Sequence, residues 1–133
     1  MNILLMVLVR IAALGAAIAV WSLVAPGLLD DDSGLGTGLL AFLGLAVVGL
    51  VWGLYDGRHR GFVTAAAAWS ATALTFSVGW LVIRAVLDAD SSMSASEIVS
   101  SDLSTIPFIA GLVLAPALVG AAAGHAVRPS QVA

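Results

Sequence analysis

Five arginines, eight acidic side chains, two histidines and one tyrosine are the ionisable chemistry of these 133 residues, which contain no cysteine. Without cysteine there are no disulfides, iron–sulfur clusters, thiolate zinc sites or cysteine nucleophiles. All five basic residues are arginines, at positions 10, 58, 60, 84 and 128, so no lysine is present to complete a Walker-type phosphate loop. His59 and His125 alone do not make a multi-ligand metal site or a bis-histidine haem, so no metal and no cofactor is expected. Scattered arginines and a net charge of −3 leave no electrostatic footprint for nucleic acid. No Ser/His/Asp set or paired intramembrane carboxylates can be assembled, and the expectation is that the chain is not an enzyme.

The chemistry that remains is concentrated on one segment. Ser70, Ser77 and Arg84 recur every seven residues and Asp88 follows Arg84 by four, so on a helix they form one polar stripe. Such a stripe can bond across helix interfaces or back to its own carbonyls. Arg84 lies near the end of its segment, where it can snorkel and pair with Asp88. Alternatively, it can stand at the mouth of an outward-facing crevice and bind an anion or a carboxylate. Arg10, about two turns into the first segment, is read as snorkelling in the same way from the opposite side.

The elements that must position these residues follow from composition. Hydrophobic residues make up 61% of the chain and charged residues 10%, against about 45–50% and about 25% in a soluble domain. A chain this short buries only about two-thirds of its unfolded surface, so the excess would form exposed patches that soluble monomers avoid. Lipid is therefore the expected solvent. Four runs at about 3–29, 35–55, 62–87 and 106–127 are long enough to cross the hydrocarbon layer as helices. The expected fold is an all-α integral membrane protein, a four-transmembrane-helix bundle forming a single membrane domain over 1–133. Ala17-Ile18-Ala19 has the form of a signal-peptide cleavage site, but the apolar run continues past it to Leu29 and the n-region Met1-Asn2 carries no basic residue.

Three polar breaks separate the runs. Asp30, Asp31 and Asp32 begin an acidic turn, Asp56 to Gly61 reads as a basic turn, and residues 88–105 form a longer Ser-rich acidic outer loop. Ser94-Ala95-Ser96-Glu97 has capping-box spacing and predicts a short surface helix. Arg58, Arg60 and Arg128 fall on one side of an even number of spans, which places both termini in the cytoplasm. The charge and residue usage resemble those of a high-GC prokaryote, with the cell membrane as the location. Trp52 and Tyr55 near one interface, and Trp21 and Trp80 near the other, fit aromatic belts.

Gly49 and Gly53 on the second span, and Gly120 and Gly124 on the fourth, have the spacing that lets helix backbones approach closely. Their partner can be a helix of the same chain or of another. Pro116, mid-span, predicts a kink. The motifs Leu29-Asp30-Asp31-Asp32-Ser33 and Leu87-Asp88-Ala89-Asp90-Ser91 admit two parallel helical hairpins arising by duplication, with chance likeness of apolar hairpins as the alternative. Small multidrug exporters also have four short spans, but they rely on a glutamate in the first helix, and no acid lies in the first span here. Small dual-topology fluoride channels are similar in length, and Thr75-Phe76-Ser77 resembles part of their third-helix motif, but their pore asparagine has no counterpart, Asn2 being the one asparagine present. The expected function is that of an accessory, assembly or scaffolding subunit acting through contacts with a membrane-protein partner or its own copies in the lipid bilayer. The alternative is a small-solute or anion transporter or channel.

Overall fold

The computed structural model describes residues 2–28, 34–90 and 92–129. The helices in chain order are α1 (Ile3–Leu28), α2 (Leu35–Arg60), α3 (Phe62–Leu87), α4 (Ala95–Asp102) and α5 (Thr105–Ala126). All but α4 are long and apolar enough to cross a membrane. The Asp30, Asp31, Asp32 turn lies outside the described residues.

The second polar break differs from expectation. Asp56 to Arg60 does not form a turn, because α2 continues through it, and the reversal is confined to Gly61 at φ 86°. That backbone conformation suits a residue without a Cβ, and α3 starts at the next residue. Polarity suggested a loop here, but the helix persists because Gly57 faces a neighbouring backbone and the Asp56 carboxylate has buried partners. In the third break, α5 starts at Thr105, one residue earlier than read.

The long connection contains the expected α4. Ser94 Oγ accepts from the Glu97 N–H, and Glu97 Oε2 accepts from the Ser94 N–H at 2.7 Å, completing a capping box. Ile98 is buried and fastens the helix to the bundle. The bond from the Ser94 N–H, followed by that from its hydroxyl, holds the Glu97 carboxyl below its usual range. The Ser92 hydroxyl, with the Ser92 and Met93 N–H groups, does the same for Asp90. Both carboxylates therefore stabilise the loop above the ordinary carboxylate range and cease to do so as pH falls through their lowered values.

The α2–α5 pair is the most extensively packed in the fold. The two helices run parallel: Gly49, Gly53 and Gly57 meet Val113, Ala117 and Ala121 in order, while Gly120 and Gly124 meet Leu50 and Leu54. An added Cβ at Gly53, Gly57, Gly120 or Gly124 would fall within 3.0 Å of a facing backbone carbonyl oxygen. Backbone contact of this kind is what small-residue spacing permits in lipid, where apolar side chains provide no hydrophobic drive between helices. Pro116 packs beside Gly49, and α5 continues through it to Ala126.

The other pairings are unequal. Helix α3 packs broadly on α5, whereas α1 touches α2 only sparingly and leans on α3. Two equivalent hairpins would require α1 on α2 to mirror α3 on α5, and this pattern does not.

Candidate functional site

The helix directions place the start of α1, the α2–α3 junction and the end of α5 at one end of the bundle, with Arg58, Arg60 and Arg128. This is the basic end. The α3–α5 connection with α4 lies at the other, the loop end.

At the basic end, α1 is fastened by a polar cluster. Arg10 is 2% exposed and Asp56 is 1% exposed. The Arg10 side chain does not reach solvent, as snorkelling would have required. Its Nη2 donates to Asp56 Oδ2, and Trp69 Nε1 donates to the same oxygen at 3.1 Å. Arg60 Nε lies 3.4 Å from Asp56 Oδ1, one helical turn along α2. The Arg10 guanidinium carbon sits 4.7 Å from the Trp69 ring centroid, within cation–π range, and Trp52 packs edge-on against Trp69. Arg60 Nη1 contacts the Met6 sulfur and closes the cluster on the α1 side. One carboxylate thus holds two arginines and an indole from three helices. Ion pairs of this kind fix geometry more surely than they add net stability, because desolvation offsets much of their attraction.

The stripe on α3 is not a continuous polar path. Ser77 is buried and its Oγ donates to the Ala73 carbonyl at 2.6 Å, as Thr72 does to Ala68 at 2.8 Å. Ser70 is half-buried a full two turns nearer the basic end. Arg84 lies at the loop end, half exposed, with its Nε 3.2 Å from Asp88 Oδ2 and its Nη1 2.9 Å from Asp102 Oδ2 on α4. Of the four stripe residues, the structure brings only Arg84 and Asp88 into contact, and it adds Asp102 to them.

Below Arg84 lies a crevice of about 380 Å³ bounded by α1, α2, α3 and α5. Its walls are apolar and aromatic, including Phe42, Phe76, Trp80 and Phe108, with Arg84 and Thr105 as its polar lining. The Phe42 and Phe108 rings meet edge-on at 6.2 Å between centroids. A second crevice of about 200 Å³ shares Ile18, Ala41 and Leu45 with it, and a third of about 390 Å³ lies between α1 and α3. Helix α1 is thus held tightly at the basic end and flanked by gaps towards the loop end. There its bond from Trp21 Nε1 to the Thr37 carbonyl, 3.1 Å, crosses to α2.

Gly49, Gly53, Gly120 and Gly124 all face a helix of the same chain. Gly57 extends this row and was missed by reading Asp56 to Gly61 as a turn, although the spacing of four from Gly53 was visible. The Arg10–Asp56–Trp69 cluster was missed as well. Its available signals were a charge inside a span, which needs a partner, and the Asp56/Arg60 spacing of four. Among the described residues, no three His, Asp or Glu side chains form a group that could hold a metal ion. No known protein family, curated protein or solved structure matches the chain.

Proposed function

We propose that the protein is a multi-pass cell-membrane protein, both termini cytoplasmic, that acts through protein contacts as an accessory, assembly or scaffolding subunit of a membrane complex. The observation that carries this reading is the state of its polar groups. The buried hydroxyls of Thr72 and Ser77 close on carbonyls of their own helix, and Arg84 is engaged by Asp88 and Asp102. A conduit for ions would need such groups turned towards a shared path. The clustering of Arg58, Arg60 and Arg128 at one end supports the orientation, since basic residues favour the cytoplasmic side. The thin packing of α1 on α2 supports the contact role, because it leaves most of an apolar helix available to a neighbour.

The absence of native cysteine makes orientation direct to measure. In intact cells, an impermeant maleimide should label Ser100→Cys on α4 and spare Ala126→Cys. The reverse pattern would invert the topology, and labelling of both would remove the four-span reading. Affinity purification in mild detergent should yield a companion membrane protein at fixed stoichiometry. A lone monomer under several detergent conditions, together with solute flux in proteoliposomes that Arg84→Ala abolishes, would instead establish a transporter.

A further inference from the structure

We infer that the crevice beneath Arg84 seats a phospholipid whose headgroup carries both a phosphate and a primary ammonium. The inference rests on the membrane reading above and not on the accessory role. Three features of the crevice select this occupant.

The first is shape. From Arg84 to Phe76 the wall follows α3 for eight residues, about 12 Å at a rise of ~1.5 Å per residue, and on α2 it follows Gly38 to Leu45. A guest lying along this wall is elongated parallel to the helices, as an acyl chain in a bilayer is. The volume, about 380 Å³, lies within the range of known small-molecule sites, roughly 300–1,000 Å³.

The second is polarity. Aromatic and aliphatic side chains line the depth, while Arg84 stands where α3 nears its end, so the site is divided into an apolar body and a charged rim. Helix α1 touches α2 only sparingly, and the adjoining crevice shares Ile18, Ala41 and Leu45. A chain can therefore slide in sideways from the lipid phase.

The third is charge. Arg84 commits Nε to Asp88 and Nη1 to Asp102, leaving Nη2 without a partner among the described residues. Asp88 is more than half exposed. The rim thus offers one cation and two carboxylates, a net charge opposed to an anionic headgroup. A phosphate on Arg84 with an ammonium on Asp88 or Asp102 satisfies both signs at once. An ammonium with N–H donors suits those carboxylates better than a methylated one, because it can hydrogen-bond to them.

The test uses the full-length protein in detergent, incubated with phosphatidylethanolamine or phosphatidylglycerol of matched acyl chains and observed by native mass spectrometry. Phosphatidylethanolamine should be retained in preference by roughly fivefold, the scale of one partly exposed ion pair. Arg84→Ala should lower retention of both lipids, because it removes the partner of the phosphate that they share, and Asp88→Asn with Asp102→Asn should turn the preference towards phosphatidylglycerol. Brominated acyl chains should quench tryptophan emission in the parent protein and lose most of that effect in Trp80→Phe, which places the chain in this crevice. Equal retention of the two lipids, retention unmoved by Arg84→Ala, a preference unmoved by the carboxylate variant, or quenching that survives Trp80→Phe would each overturn the proposal. Headgroup-indifferent retention by a protein that passes the maleimide test would overturn this inference alone, leaving the membrane reading intact.

Discussion

Replacing Asp56 with alanine is expected to destabilise the fold by about 3–5 kcal/mol, the usual consequence of removing one partner from a buried ion pair. Arg10 would keep its charge at 2% exposure, with Trp69 Nε1 losing its acceptor at the same time. The guanidinium can escape only if the first three turns of α1 leave the bundle. Resistance to denaturation in detergent should fall accordingly, and amide exchange should rise first in α1. Asp56→Asn should be nearly as damaging, because it keeps the shape but removes the charge that Arg10 and Arg60 share. The informative comparison is the double replacement Arg10→Leu with Asp56→Leu. Exchanging both charges for apolar side chains removes the desolvation cost with the attraction, so this variant should recover most of the lost stability. Arg60 tolerates the change because it is already partly exposed and can reach the surface. If each single variant were harmless, the cluster would not be what holds α1.

The second large effect is expected where α2 and α5 meet. Gly53→Ala and Gly124→Ala each place a methyl group within 3.0 Å of a facing carbonyl oxygen. Backbone cannot yield as a flexible side chain does, so the helices must separate along their length. The expected penalty is about 3 kcal/mol or more, at the upper end of what overpacking produces. Gly44→Ala and Gly111→Ala are the controls, since an added Cβ there meets nothing within 4 Å. They should be neutral or stabilising by about 0.5–1 kcal/mol, because alanine is the better helix former. Unfolding in detergent titrated with sodium dodecyl sulfate would separate the two pairs of variants. Similar behaviour of all four would mean that the close α2–α5 approach does not exist in solution.

The parts of this structure that were legible in advance are the local ones. Long apolar runs reveal helices of spanning length because length and hydropathy belong to the segment itself. The capping box at Ser94 was readable because its two partners lie three residues apart. The α2–α5 interface was half legible: glycine spacing says that a backbone comes close but not whose backbone it is. Asp56 shows where local reading fails. A polar stretch between two apolar runs looks like a turn, and only residues 46 and 13 positions away, Arg10 and Trp69, make it a buried helical site. Arg10 was misplaced for the same reason, since snorkelling is the better outcome only for an arginine with no acid waiting inside. On α3 the stripe geometry was real, but the serines bond to their own helix, a choice that spacing cannot reveal. The rim around Arg84 gained Asp102 from α4, which folds back through a loop whose path no periodicity encodes.

The role proposed for this bundle is contact with another membrane protein. The most direct measurement is photo-cross-linking in native membranes from single photoreactive residues at Leu4, Val20 and Leu23, all exposed on α1. A protein adduct of discrete mass, formed from some of these positions and not others, is the predicted result. Adducts with lipid alone at all three positions, and likewise at exposed sites on α3 and α5 such as Val86 and Val119, would contradict it.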